Sequence, residues 1–357
     1  MQPLRLWLPR MTEETRVRDA EALELLRCGE LLELGARADE VRCFLHPGVD
    51  VTFIVDRNIN YTNVCVSGCR FCAFYRSPGA PDAYVLSEAE IHRKIEETLG
   101  LGGTAIMMQG GLHPELGIDW FERLLRGIKR RFEIHIHSFS PPEIAHIASV
   151  SAISTKETLT RLRDAGLDSL PGGGAEVLVD RVRHAVSPHK TTAAGWIDVM
   201  RTAHRLGIPG TATMMFGSLE TLEERVEHLR RIRDLQDETG GFTAFIPWSF
   251  QPANTDLAAG HVAASGADYL RVLAVSRLYL DNIPSVQASW VTQGVRLGQV
   301  ALSFGANDLG STMIEENVVR AAGVSHRLTV EQMVEAIRNA GRRPVQRDTL
   351  YREVKRW

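Results

Sequence analysis

The strongest constraint on the fold is an alternation, unbroken from residue 51 onward, of short β-branched runs with helix-patterned segments. Residues 51–55 read as a buried strand. Ser87 with Glu90 has the spacing of a capping box and predicts a helix to about Leu101. Residues 104–108 form the second strand, closed by Gln109-Gly110-Gly111, and a helix over 118–131 leads to the third at 133–139. Pro142 opens a helical region reaching Ala165, followed by a short strand at 168–170 and the loop Pro171-Gly172-Gly173-Gly174. Helices near 176–186 and 192–206 precede the fifth strand, 210–217; a helix at 221–237 precedes the sixth, 242–250. After a helix at 265–280, residues 285–292 and 300–304 supply the seventh and eighth strands. The last helix, near 329–340, starts at Thr329 with Gln332 in the capping-box position.

Strands that alternate with helices make a parallel sheet, and about eight of them favour a closed α/β fold of (β/α)8 TIM type over an open sheet. Such a barrel carries its site at the C-terminal strand ends. The Gly-Gly turns, the polar strand ends and a cysteine-rich loop all fall there. Residues 12–43 carry an apolar stripe (Ala22, Leu23, Leu25, Leu26, Leu31, Leu32, Leu34) punctuated by Gly29 and Gly35. The expected organisation is a helical cap over 1–50, the barrel over 51–310 and a helical C-terminal extension over 311–357 packed on the barrel.

The cysteine loop follows the first strand: Cys65, Cys69 and Cys72, spaced Cys-x3-Cys-x2-Cys. Thiolates are the usual ligands of iron–sulfur clusters, and a cubane normally takes four. Three leave one iron open to a substrate, by the logic that separates catalytic from structural zinc sites. A zinc knuckle needs a fourth Cys or His at short range. The nearest downstream histidine, His92, lies in a predicted helix, and no cysteine follows Cys72 to complete an electron-transfer cluster. Cys28 and Cys43 read as inert, partly buried thiols.

Composition bounds the setting. A 44% apolar content supports a substantial core, and a net charge of −3 gives no general attraction to nucleic acid. No run of eighteen apolar residues spans a membrane. The first ten residues lack the apolar core and cleavage site of a secretory signal, so five reduced cysteines in the cytoplasm are expected.

Other residues carry candidate chemistry. His135 and His137 are two apart on a strand and share a face. In a barrel lumen such a pair can bind a metal, as in barrel hydrolases, but the companion ligands are not evident, and hydrogen bonding to substrate or core is the simpler reading. Asp56, Asn58, Asn60 and Asn63 crowd the first strand end, where some cap turns. Trp248 and Phe250 either stack on an aromatic substrate or fill core. Asn307, Asp308, Ser311, Glu315 and Glu316, in a Gly-punctuated polar run, are expected to face the barrel top, where they suit sugar hydroxyls or a carboxylate.

With Phe71 before the last cysteine, the motif resembles that of radical S-adenosylmethionine (SAM) enzymes. The resemblance implies a [4Fe-4S] cluster on Cys65, Cys69 and Cys72, with SAM chelating the open iron and yielding a 5′-deoxyadenosyl radical. Gln109-Gly110-Gly111 sits where the family has a Gly-Gly-Glu-like turn against the SAM amino group; Leu112 replaces the Glu, so only the backbone part carries over. Gly217-Ser-Leu-Glu220 resembles the end of the family's Gly-x-Ile-x-Gly-x-x-Glu motif near the adenine. Glu176, after the triple glycine, is placed to meet the SAM ribose or the substrate.

From about residue 20 the chain resembles the radical SAM group of futalosine-type menaquinone intermediates and its deazaflavin-forming relatives. Asp56-Arg-Asn-Ile-Asn-Tyr-Thr-Asn63, Cys72-Ala-Phe-Tyr-Arg76, Ser289-Trp-Val-Thr292 and Phe304-Gly-Ala-Asn-Asp-Leu-Gly-Ser311 resemble the dehypoxanthine futalosine cyclase family. That resemblance implies hydrogen abstraction from the ribose C4′, addition to the benzoate ring, and loss of one electron and one proton. It implies dehypoxanthine futalosine as substrate and an external electron donor such as flavodoxin or ferredoxin, with no nucleic acid or membrane partner. His135, His137, Asp308 and Glu315 are the candidate proton acceptors by chemistry. The rival readings are the aminofutalosine synthase or deazaflavin-forming sisters, a metal-dependent barrel hydrolase, and an iron–sulfur electron carrier.

Overall fold

The first β-branched run forms one barrel stave broken at Val55, as β1 (Asp50–Ile54) and β2 (Asp56–Ile59). The computed structural model describes residues 16–357 except residue 325; the leader reading and the helix start at residue 12 lie outside the described residues. The other staves are β3 (Ala105–Met108), β4 (His135–Ser138), β5 (Gly210–Phe216), β6 (Phe242–Ser249), β7 (Ser285–Val286) and β8 (Asp308–Ser311). All ladders in the ring are parallel: β2 with β3, β3 with β4, β5 with β6, β6 with β7. The bridges His137–Ser169 and Leu170–Gly210 carry the ring through residues 169–170, and Gln287–Asp308 joins β7 to β8. Because β8 pairs with β1, the barrel closes. Closure removes the sheet edges that an open sheet would have to protect.

Helices surround the ring. α1 (Asp19–Cys28) and α2 (Leu31–Leu45) come first, then α3 (Glu88–Gly100), α4 (Ile118–Arg131), α5 (Pro141–Val150) and α6 (Thr155–Ala165). Next are α7 (Asp180–Val186), α8 (Ala193–Arg205), α9 (Leu222–Thr239) and α10 (Gly266–Tyr279). α11 (Trp290–Gln293), α12 (Val295–Ala301), α13 (Val318–Ala321) and α14 (Val330–Asn339) complete the set. The capping boxes expected at Ser87–Glu90 and Thr329–Gln332 are both formed. α1 and α2 lie on α9 and α10. Gly35 does not break α2: a Cβ there would meet the Phe304 ring at 2.8 Å, so it is the point of closest approach. Among the described residues no helix is long and apolar enough to cross a membrane.

Three expectations differ from the structure. The eighth strand is not 300–304, where Val300 points to solvent at the end of α12; it is the polar run of β8, every residue of which is buried in the barrel wall. The seventh strand stops at Val286, and the remainder of the expected run turns into α11. The C-terminal extension is not wholly helical. After α14 come β9 (Arg343–Arg347), parallel to β1, and β10 (Glu353–Arg356), antiparallel to β9. β9 pairs with the first residues of β1, so it closes the floor of the barrel, opposite the cysteine loop. Its Arg-Pro-Val-Gln-Arg sequence has no apolar alternation to announce a strand.

Candidate active site

The loop leaving β2 is built on hydrogen bonds that fix its path across the barrel top. Cys65 N–H donates to the Arg76 carbonyl (2.9 Å), Arg76 N–H to the Asn63 carbonyl (2.8 Å), and Arg70 N–H to the Val186 carbonyl (2.8 Å). The Gly110-Gly111 turn lies directly under it. A Cβ on Gly110 would meet the Tyr61 ring at 2.5 Å, and one on Gly111 would meet the Val64 carbonyl oxygen at 2.1 Å and the Cys65 Cβ at 2.8 Å. The close approach these glycines permit is thus taken by the cysteine loop itself. Glu143, which sequence reasoning passed over, ties the two together. Its buried carboxylate accepts from Gly110 N–H (2.9 Å), Tyr61 O–H (2.8 Å), and Ser140 N–H (2.8 Å) and O–H. The signal available was the Ser140–Glu143 capping-box spacing at α5.

Cys69 is buried, Cys65 and Cys72 are half-buried, and all three are free thiols. Cys28 and Cys43, expected to be partly buried, are exposed. Among the described residues no three or more His, Cys, Asp or Glu side chains converge to hold a single metal ion. A cubane makes a different demand, one thiolate for each of several irons. The Lys190 ammonium completes the surroundings: it lies 5.0 Å from the Phe71 ring centroid and donates to Glu176 Oε1 at 2.8 Å. Burial opposes its charge, but Cys69 and Glu176 outweigh that and hold the ammonium above the ordinary lysine range. Three free thiols on one ordered loop beside a buried cation fit an anionic cluster. Glu176, in the left-handed region at φ 42°, is 4% exposed and is held by Lys190 and by Arg183 at 3.4 Å. It steadies the cation instead of projecting into open space.

A cavity of about 290 Å³ fills the barrel beside this loop. Gln109, Gly172, Gly173, Trp248, Trp290 and Thr292 line it. Trp248 therefore faces the cavity, whereas Phe250 is core, edge-on to His261. His137 also lines it, and the predicted shared face holds, since both His135 Nε2 and His137 Nδ1 bond Ser169 Oγ at 2.7 Å. Burial, then His135 and Arg347, push the His137 pKa down to about 3, so its imidazole is neutral.

Other candidate residues are not brought to the cavity. Asp308 is fully buried in the wall, in a two-bond ion pair with Arg347 (2.6 and 2.9 Å), and also accepts from Thr52 and Gly310. Asn307 is likewise internal, accepting from Arg277 (2.6 Å) and Val286 N–H (2.9 Å). Glu315 is clamped by Arg57 (2.8 Å) and Lys94 (2.6 Å) on the outer side, between β2 and α3. Glu220 has no exposed side-chain surface; it accepts from Gly217 N–H, Ser218 (2.8 Å) and Arg225 (2.9 Å), closing its own turn. The polar run at 307–316 thus splits: Ser311 and Glu316 reach the cavity, while its other acids lock the barrel.

The chain matches the Radical SAM superfamily over residues 59–232 and the CofH/MqnC C-terminal region over residues 239–356. It is 48% identical over 349 residues to the cyclic dehypoxanthine futalosine synthase of Halalkalibacterium halodurans, covering 98% of this chain and 94% of that protein. This chain belongs to the radical SAM superfamily. As a radical SAM enzyme it works with a [4Fe-4S] cluster and SAM. The enzyme of the same name from Streptomyces coelicolor is 45% identical, covering 99% of this chain and 89% of that protein. A 5-amino-6-(D-ribitylamino)uracil–L-tyrosine 4-hydroxyphenyl transferase of Methanosarcina acetivorans is also 45% identical, covering 94% and 90%. Two solved structures share the fold alone. Methylornithine synthase is 19% identical with a TM-score of 0.71 (92% of this chain, 94% of that one). The FeFe-hydrogenase maturase from Carboxydothermus hydrogenoformans is 17% identical with a TM-score of 0.77 (94% and 78%).

Proposed function

We propose that this radical SAM enzyme cyclises dehypoxanthine futalosine to its cyclic form, a carbon–carbon bond-forming step of menaquinone biosynthesis, in the cytoplasm. The observation that carries the reading is the 48% identity to a cyclic dehypoxanthine futalosine synthase over 98% of the chain. Cys65, Cys69 and Cys72 would hold the cluster, with Phe71 on the same loop and the Lys190 ammonium stacked on its ring. Gln109, which lines the cavity, would meet SAM, with Gly110 and Gly111 seating the cysteine loop against it, and the turns at Glu176 and Gly217 would border it, Glu220 acting only by shaping its turn. When bound, cluster and SAM supply a 5′-deoxyadenosyl radical able to draw hydrogen from the ribose C4′, with the reducing electron coming from an external donor such as flavodoxin or ferredoxin.

The protein's own part is placement. Trp248 offers an aromatic face to the benzoate ring, and Thr211, Thr213, Gln287 and Thr292 offer polar contacts to the sugar. The barrel cavity, largely apolar in its lining, would limit water around carbon radicals and hold the ring near C4′.

The 45% identity to the tyrosine-using transferase defines the competing substrate class. Anaerobically reconstituted enzyme should be offered dehypoxanthine futalosine in one reaction and tyrosine with 5-amino-6-ribitylaminouracil in another. Turnover of the first alone supports the reading; turnover of the second alone overturns it.

A further inference from the structure

Five ionisable side chains line the cavity: Asp56, His137, Glu316, Arg347 and Tyr351. Four are unsuited to take a proton. Arg347 is a cation with no lone pair to offer, already paired with Asp308. Both oxygens of Glu316 accept backbone N–H groups at the start of α13, from Val318 (2.9 Å), Val319 (2.8 Å) and Arg320 (3.0 Å). The Tyr351 phenol stays protonated, since burial raises its pKa well above the ordinary value. His137 gives its Nδ1 to Ser169, and its burial among cationic and neutral groups disfavours an imidazolium.

Asp56 is different. One carboxylate oxygen accepts a hydrogen bond from Ser311 Oγ; the other has no hydrogen-bond partner among the described residues. It stands on β2 opposite Ala105, in a ring of the barrel whose next inward-facing neighbours are Asn58, Met107 and His137. We propose that Asp56 is the base that takes the proton released when the substrate's ring regains aromaticity, an inference that rests on the cyclase reading above. After C4′ has joined the ring, the attacked ring carbon still carries its hydrogen and the ring holds one unpaired electron. Breaking that C–H bond sends the proton to the free oxygen of Asp56. Of the bond's two electrons, one pairs with the ring's unpaired electron, and the other leaves to a one-electron oxidant, a role that the oxidised iron–sulfur cluster held by Cys65, Cys69 and Cys72 would supply when bound. The carboxyl then returns the proton to solvent between turnovers.

The charge surroundings suit this role. Burial lifts the Asp56 carboxyl to about 6, against the Ser311 hydrogen bond and the Arg347 charge, with Asp308 adding to the rise. From β4, His137 faces the same cavity as a neutral ring, burial lowering its pKa to about 3, and His135, also lowered by burial, shares the Ser169 hydroxyl with it outside that cavity. Tyr351 and the Arg347–Asp308 pair close the floor. A base with this pKa is ionised at neutral pH and basic enough to act there. Acid through about 6 removes it.

The test is the yield of cyclised product per 5′-deoxyadenosine formed, measured on the loaded holoenzyme against pH. Wild type should hold a constant ratio at neutral pH that falls as Asp56 protonates. Asp56→Asn should still make substrate-dependent deoxyadenosine, with the ratio lowered at least about tenfold and flat in pH, while Asp56→Glu restores part of it. An Asp56→Asn enzyme with wild-type ratio and pH profile overturns the proposal. Wild type that makes deoxyadenosine but no cyclised product would instead overturn the cyclase reading. Should Asp56→Asn fail to fold or load its cluster, Ser311→Ala decides: loss of the hydrogen bond should move the acid limb to higher pH, and an unmoved limb contradicts the role.

Discussion

At the scale of single residues, the site depends on contacts with no slack. Gly111→Ala places a methyl where the Val64 carbonyl stands 2.1 Å away, so the cysteine loop must shift. The expected result is a folded barrel that takes up much less iron and sulfide on reconstitution, read by the cluster's visible absorbance; full cluster loading would refute the docking role of the turn. Glu143→Ala strands the Gly110 and Tyr61 donors and should cost on the order of 3 kcal/mol in denaturant unfolding. Glu315 makes a pH-dependent contribution. Burial works to raise its pKa, but Lys94, Asn317 and Arg57 prevail and lower it. A depressed carboxylate stabilises above its unfolded pKa, and the benefit is lost as pH falls through the folded value. Glu315→Gln should therefore be less stable than wild type at neutral pH, with the difference shrinking in acid. A difference independent of pH would contradict the clamp.

At the scale of elements, what was legible in the sequence was what periodicity records. The capping boxes at Ser87 and Thr329, the strands read over 104–108 and 242–250, and the shared face of His135 and His137 all follow from local pattern. The misreadings share a physical cause. β8 is polar because its Asp308 is neutralised from a strand 39 residues later in the chain, and β9 carries the Arg347 that does so. Neither pattern makes sense alone, since each supplies the other's missing partner. The same dependence on distant partners misled the site assignments: Glu220, Glu315 and Asp308 have catalytic chemistry, but Arg225, Lys94 and Arg347 consume it. Lys190 and Glu143 went unnoticed because only the folded chain brings them to the cysteine loop. Arg347→Ala leaves the Asp308 carboxylate buried and unpaired and should cost about 3–5 kcal/mol, whereas Arg347→Met with Asp308→Leu should recover much of it. Equal losses in the single and double variants would argue against a floor locked by this pair.

At the scale of the whole molecule, the barrel divides its labour along its axis. The top holds the cysteine loop, Lys190 and the glycine turns; the middle is a cavity with Trp248 on its wall; the floor is closed by β9 and its ion pair. Such an arrangement suits chemistry that must keep carbon radicals from solvent, with the reactive end and the binding chamber facing each other. The most direct measurement of the central claim uses dehypoxanthine futalosine deuterated at C4′, incubated anaerobically with loaded enzyme, SAM and a strong reductant, and read by mass spectrometry. The expected result is one deuterium in 5′-deoxyadenosine and a cyclised product lighter than its substrate by that deuterium and one ring hydrogen. Deoxyadenosine without deuterium, or none at all from a fully loaded cluster, would contradict it.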